Sequence, residues 1–230
     1  MFIDHDDELT LNALEILYSY TNNGTVDVVQ GRSWTVNEEG KVVYRTNDNF
    51  PIPTIIYSTD HLKNLLPQQI ALHLLWPSVA LWACLIKSSF LKGIELPDCI
   101  YNDTSFIWKL KLLAHQFCYI PDYIYKQNEH ADSVSGSISK DENVFQIFKV
   151  FEDLKTFVIS LQLPPMFIKY LMLYEFRMII GHTGGNFTPE VKEKFLNRLT
   201  EEIKSNVDIT EELGIFFDED MVKWYKELRE

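Results

Sequence analysis

The chain has 230 residues and a mass of 27.0 kDa, and its 21 Lys and Arg against 33 Asp and Glu give a formal charge of −12 with a pI near 4.9. That balance argues against nucleic-acid backbones or anionic lipid as the main partner, because both need clustered Lys and Arg, while it leaves divalent cations open. With 46% hydrophobic and 23% charged residues the composition is that of a globular protein, which excludes disorder as the main state.

Met1 leads directly into acids, so no signal peptide is expected. Met1-Phe2-Ile3 reads as the tail of a buried strand, followed by Asp4-His5-Asp6-Asp7-Glu8. Residues 9–20 carry apolar side chains at helical spacing (Leu14, Leu17, Tyr18), and Asn22-Asn23-Gly24 stops the helix. Residues 26–36 are rich in β-branched types and predict a strand, with Glu39-Gly40 turning it into Val42-Val43-Tyr44. A proline-containing loop at 47–53 precedes a short helix at 62–66. The apolar runs 70–86 and 166–180 are broken by His73 and Pro77, and by Lys169, Glu175 and Arg177, so both read as core and no transmembrane segment is expected.

A helix should begin at Asp103 or Thr104, with Phe106, Ile107, Leu110, Leu113 and Ala114 on one face, and a strand at 117–120 should end at Pro121. The polar stretch 132–140 marks a domain boundary, giving regions 1–135 and 136–230. Beyond it Val144, Ile147, Phe148, Phe151, Leu154, Val158 and Leu161 step by three and four up to Pro164-Pro165. Further helices follow over 166–180 and from Thr188-Pro189-Glu190. Cys84, Cys99 and Cys118 are too widely spaced for a disulfide framework or a zinc knuckle, and fit a reducing, cytoplasmic compartment. The fold class expected is α/β, a mixed sheet with flanking helices followed by a C-terminal helical region.

Three constellations could carry chemistry. Two carboxylates at i and i+2, where a strand gives way to a helix, can converge on one hard cation such as Mg²⁺ or Mn²⁺. The same acids could instead cap the helix, with Asp6 or Asp7 at its positive end, and spacing alone leaves both roles open. Phosphohydrolases of the haloacid dehalogenase type also use Asp-x-Asp after a strand, but Asp7-Glu8 departs from their continuation. The second constellation is Tyr101-Asn102-Asp103-Thr104, where Asp103 could act as a general base or as a helix N-cap. The third is Tyr123-Ile124-Tyr125-Lys126 with His130 and Ser133-Val134-Ser135: alternating aromatics at a strand edge, then serines that could face phosphate or sugar.

Their order resembles family 2 glycosyltransferases of the GT-A fold. Phe2-Ile3-Asp4-His5-Asp6-Asp7, then a helix, then Val26-Asp27-Val28-Val29 with Gly31, is similar to that family's metal-binding stretch. Pro77-Ser78-Val79 with Trp82 and Phe90-Leu91-Lys92 looks like its segment crossing towards the acceptor. Asn102-Asp103-Thr104-x-Phe106 matches Glu-Asp-x-x-Phe with Asn102 in place of Glu, and Tyr123-x-Tyr125-Lys126 with Ser133-Val134-Ser135 matches the closing motifs. The resemblance implies that Asp4 and Asp6 hold Mg²⁺ or Mn²⁺ against the diphosphate of a nucleotide-sugar, with His130 as a further metal- or phosphate-contacting residue. It implies that Asp103 takes the proton of an acceptor hydroxyl in an inverting transfer to a carbohydrate or cell-surface glycan. Trp82, Asn102, Tyr125, Lys126 and Ser133 would bind substrate.

Members of that family begin with a strand, turn and helix that clasp the nucleotide base, and this chain starts at the metal motif. The expectation is therefore a glycosyltransferase-like chain lacking that half; the alternative is a non-catalytic carbohydrate-binding or partner-interaction module of the same origin. An apolar strand at residues 1–3 without neighbours would favour a homo-oligomer. The cytoplasm, or the inner face of the membrane, is the expected location.

Overall fold

The computed structural model describes residues 1–45, 54–57, 64, 81–95, 97–130, 142–183, 187–205 and 208–230. The expected loops at 47–53 and 132–140, the helix at 62–66 apart from Asn64, and the Gly184-Gly185 break lie outside the described residues. The chain divides into two units, Met1–Ser133 and Val134–Glu230.

The first unit is mixed α/β, as expected. In chain order it contains β1 (Glu8–Leu9), α1 (Ala13–Ser19), β2 (Val28–Val36), β3 (Val42–Arg45), β4 (Thr54–Tyr57), β5 (Cys84–Ile86), α2 (Asn102–Leu113) and β6 (Gln116–Asn128). These strands form one six-stranded sheet built on the parallel pair β2 and β6. At one end β4 lies against β6 and β5 against β2; at the other β1 lies against β6 and β3 against β2, all four antiparallel. Val28 and Val29 of β2 are buried, and so are Cys118, Ile120, Ile124 and Tyr125 of β6. Ala13 and Leu17 of α1 pack on this core. Asp27, also buried, ties the head of β2 to the head of β6 by accepting from His115 N at 2.8 Å.

Four expectations need correction. Residues 1–3 form no strand, so the exposed strand edge on which the homo-oligomer was argued is not there. The first helix starts later than residue 9, because Glu8 and Leu9 are drawn into β1; Asn22, Asn23 and Gly24, at φ 47°, 55° and 82°, follow it as read. Helix α2 is buried nearly all round rather than on one face: Trp108, Lys109, Lys111 and Leu112 are buried with Phe106, Ile107 and Leu110. Lys111 Nζ lies 5.8 Å from the Tyr119 ring centre, a cation–π contact that helps a buried ammonium.

The fourth correction positions the site. The strand expected to end at Pro121 runs on to Asn128. Proline has no N–H for the ladder, and the pairing slips there: Gln30 lies opposite Tyr119, but Arg32 lies opposite Tyr123. At the slip the backbones close in on Gly31, where a Cβ would meet Ile124 Cγ1 at 2.4 Å and Asp122 O at 3.2 Å. Ile124 is fully buried and has nowhere to retreat, so this crossing requires glycine. Past it, Tyr125 sits in the core rather than at a strand edge.

The second unit is helical: α3 (Gln146–Ser160), α4 (Met166–Thr183), α5 (Pro189–Ser205), α6 (Thr210–Phe216) and α7 (Glu219–Arg229). The α3 stripe is buried at Ile147, Phe148, Phe151, Leu154 and Val158 as its spacing predicts. Tyr225 of α7 meets Phe176 of α4 edge to face at 5.1 Å. No described helix is long and apolar enough to cross a membrane.

One polar group sits inside this unit at a cost. Glu175 of α4 is 3% exposed, lines a cavity with Phe176, Leu199, Glu202, Ile203 and Tyr225, and its Oε1 has no hydrogen-bond partner among the described residues. Burial, then the nearby Glu202 carboxylate, holds its pKa well above the ordinary value; Lys155 and Arg198 oppose this and Glu152 adds to it. Arg198 itself is engaged with Glu202 at 3.3 Å. A raised acid pKa means the folded state holds more protons, so stability falls as pH rises above the unfolded value of about 4.5. Calorimetric melting should show Glu175→Gln more stable than the wild type at pH 7.5 by at least about 2–4 °C, the effect of 1 kcal/mol in a chain of this size. The difference should shrink at pH 5.

Candidate active site

The acidic opening folds as a turn between α2 and the far end of β6. The Phe2 ring meets Phe106 of α2 edge to face at 5.9 Å, and Asp7 N closes the turn on Asp4 O at 3.2 Å. β1 then pairs Glu8 with Lys126 and Leu9 with Tyr125.

Within the turn the acids divide. Asp4 and Asp6 are exposed, whereas Asp7 is half-buried with both oxygens occupied. Tyr125 Oη donates to Asp7 Oδ2 at 2.7 Å, and Asn128 N donates to Asp7 Oδ1 at 2.8 Å. The same Tyr125 hydroxyl accepts from Asp4 N at 3.2 Å, and Asn128 Nδ2 donates to Asp6 O at 2.7 Å. Lys126 Nζ pairs with Glu8 Oε1 at 2.8 Å, which lowers the Glu8 pKa. Partial burial, then the charges of Asp7 and Asp6, raises the pKa of Asp4. Burial, then the bond to Asp7, pushes the Tyr125 phenol up as well.

Asp103 lies in the first turn of α2 and does not cap it: Tyr101 is the cap residue, and Asp103 Oδ1 instead accepts from Thr104 N at 2.8 Å. The helix start and this N–H favour its charged form. Burial outweighs them and, with the charge of Asp4 adding to it, lifts the Asp103 pKa to about 6. Asp103 and the acidic turn therefore share one electrostatic environment although 99 positions separate Asp4 from Asp103 in sequence.

The other expected residues have varied surroundings. Asn102 opens α2, and is partly buried. His130 Nε2 lies 3.8 Å from Asp6 Oδ2, and the exposed His5 lies 3.7 Å from Asp6 Oδ1. Trp82 packs on the Tyr125 ring at 6.0 Å, and its buried indole Nε1 has no hydrogen-bond partner among the described residues. Tyr125, expected at the substrate, has no exposed surface; its hydroxyl is committed to the turn. Lys126 is committed to Glu8, and Ser133 lies outside the described residues. Neither Asp6 nor Asp7 caps α1, which begins after Asn12. Asp7 and Asn128 were missed as site residues; the opposite charges of Glu8 and Lys126 were the one sequence signal for this pairing.

Among the described residues no three His, Cys, Asp or Glu side chains come together as a metal cage. The donor chemistry nonetheless suits Mg²⁺ or Mn²⁺ shared with a ligand. No protein donor among the described residues reaches the Asp4 carboxylate, its pKa is raised by partial burial and then by the Asp7 and Asp6 charges, and such ions accept one or two carboxylates when phosphate oxygens complete the shell.

No family model matches the chain, and no curated protein matches it either. Solved structures do. The chain is similar over its full length to S. aureus TarS 1–349, with a TM-score of 0.60 at 14% identity, covering 62% of that chain. Against S. aureus TarS 1–349 in complex with UDP-GlcNAc the TM-score is 0.63 at 14% identity, with 63% of that chain covered. This likeness shows a glycosyltransferase fold. The chain spans less than two thirds of the TarS chains it matches.

In metal-free protein, the Asp103 carboxyl followed by ¹³C NMR should titrate with a midpoint of about 6. Asp4→Asn removes a like charge and should move that midpoint down, while an unmoved midpoint would separate Asp4 from Asp103.

Proposed function

We propose that the chain is a family 2 glycosyltransferase of GT-A type, transferring a sugar with inversion from a nucleotide-sugar to a carbohydrate or cell-surface glycan hydroxyl. The observation that carries this reading is the raised Asp103 carboxyl in the field of the acidic turn, which gives one site both a base near neutral pH and oxygen ligands for a cation. The fold likeness to TarS supports it, and the TarS complex makes UDP-GlcNAc the first donor to try.

In this reading Asp4 and Asp6 would hold Mg²⁺ or Mn²⁺, with His130 beside Asp6, and the ion would supply charge neutralisation for a departing diphosphate. Asp103 accepts the proton of the acceptor hydroxyl as its oxygen bonds to the anomeric carbon. The bond from that carbon to the diphosphate oxygen breaks, and its electron pair leaves with the nucleoside diphosphate. A pKa near 6 leaves the base ionised at pH 7 yet not so weak as an ordinary carboxylate. Trp82 and Asn102, which opens α2, are the substrate contacts of this reading. Lys126 and Ser133 belong to the same proposal at the end of β6 and beyond it, as does action at the cytoplasmic side of a membrane.

Release of UDP from UDP-GlcNAc in the presence of Mn²⁺ and acceptor glycan is the assay. Asp103→Asn should lower kcat by about 10²–10⁴ while UDP binding persists. Because the base must be ionised, wild-type turnover should rise with pH and level off, with its midpoint below the metal-free value of about 6, since a cation on Asp4 offsets the like charge that raises Asp103. Full activity in Asp103→Asn would remove the base, and UDP binding untouched by Asp4→Asn would favour a non-catalytic module.

A further inference from the structure

We propose that Asp7 is a positioning residue, which with Tyr125 and Asn128 forms a latch that aims the carboxylates of Asp4 and Asp6. The proposal rests on the donor-binding reading above and assigns the third aspartate of the turn a task distinct from the other two.

Occupancy of the oxygens separates the roles. Asp7 has one oxygen on the Tyr125 hydroxyl and the other on Asn128 N, so two charge-assisted bonds hold its carboxylate against β6 and fix its direction. Asp4 and Asp6 are exposed and are tied down through their backbones instead: Asp4 N donates to Tyr125 Oη, and Asp6 O accepts from Asn128 Nδ2. The latch therefore fixes the main chain on both sides of His5 and leaves the two flanking carboxylates available.

The anchor is rigid because Tyr125 is a core residue. Its ring has no exposed surface and packs with Trp82 and the Ala13, Leu17 and Ile124 core. A hydroxyl carries one proton, and Tyr125 gives it to Asp7, which leaves its lone pairs for Asp4 N. Removing that hydroxyl strips a donor from Asp7 and an acceptor from Asp4 in one step. Freed, Asp7 would compete as a ligand and the turn would lose its register with β6. Supporting partners of this kind commonly contribute 10–100-fold to metal affinity.

Calorimetric titration of UDP with Mn²⁺ into the full chain tests this, comparing the wild type with Tyr125→Phe, Asp7→Asn and Asp4→Asn. Tyr125→Phe and Asp7→Asn should each raise Kd by about tenfold at unchanged stoichiometry, and Asp4→Asn should abolish binding. A purely structural role would lower the stoichiometry, through loss of folded protein, with Kd unmoved. That result, or a wild-type Kd in both latch variants, overturns the proposal while leaving donor binding intact. Wild-type protein that does not bind UDP overturns the donor reading itself, and the positioning role with it. Faster hydrogen exchange at the Asp4 and Asn128 amides in Tyr125→Phe should accompany the expected result, and unchanged exchange there would overturn the latch directly.

Discussion

A phenol with no exposed surface, bonded at 2.7 Å to a half-buried carboxylate, holds this site together. Four acids fall within five positions of the turn, Asp4, Asp6, Asp7 and Glu8, and without counterparts their repulsion would open it. Tyr125, Lys126 and Asn128, consecutive on β6 but for one residue, supply those counterparts. The rest depends on how β6 reaches that place. It must pass Pro121 without ending, and it does so by slipping register against β2 at Gly31, the one residue there small enough for the crossing.

Asp103 illustrates how magnitude decides chemistry. A carboxylate in the first turn of a helix, accepting an amide N–H, would ordinarily titrate low. Burial within the well-packed α2 environment and the nearby Asp4 reverse that and leave a carboxyl that titrates at about 6. The same two causes, burial and a like charge, act on Glu175 in the helical unit, where nothing marks the group as catalytic. A perturbed carboxyl is thus a functional pointer only where geometry supplies something for it to do.

Local patterns were legible from sequence. The valines of β2, the Glu39-Gly40 turn into β3 and the three–four stepping of α3 all appear where their spacing places them. Nonlocal pairings were not. Leu9 reads as the first residue of the helical stretch that carries Leu14, Leu17 and Tyr18, yet Glu8 and Leu9 pair with residues 118 and 116 positions later, and only tertiary structure supplies that partner. Pro121 is a sound stop signal for a strand until a bulge accommodates it. Asp103 before a helical pattern reads as a cap because the helix start cannot be fixed to a residue, and the true start at Asn102 places Asp103 inside it. The nearness of Asp4 to Asp103 was nonetheless legible from motif order, whereas the bonds of Asp7 and Asn128 became visible only in the structure.

The function proposed for this glycosyltransferase fold requires that the acidic turn beside Asp103 hold a cation and a nucleotide diphosphate. Crystals of the full chain grown with UDP and Mn²⁺, measured for manganese anomalous scattering, test it most directly. An anomalous peak bound by Asp4 and Asp6, with Asp7 still on Tyr125, is the expected result. A peak elsewhere, or a Mn²⁺ held by Asp7 in place of Asp4 and Asp6, would contradict it.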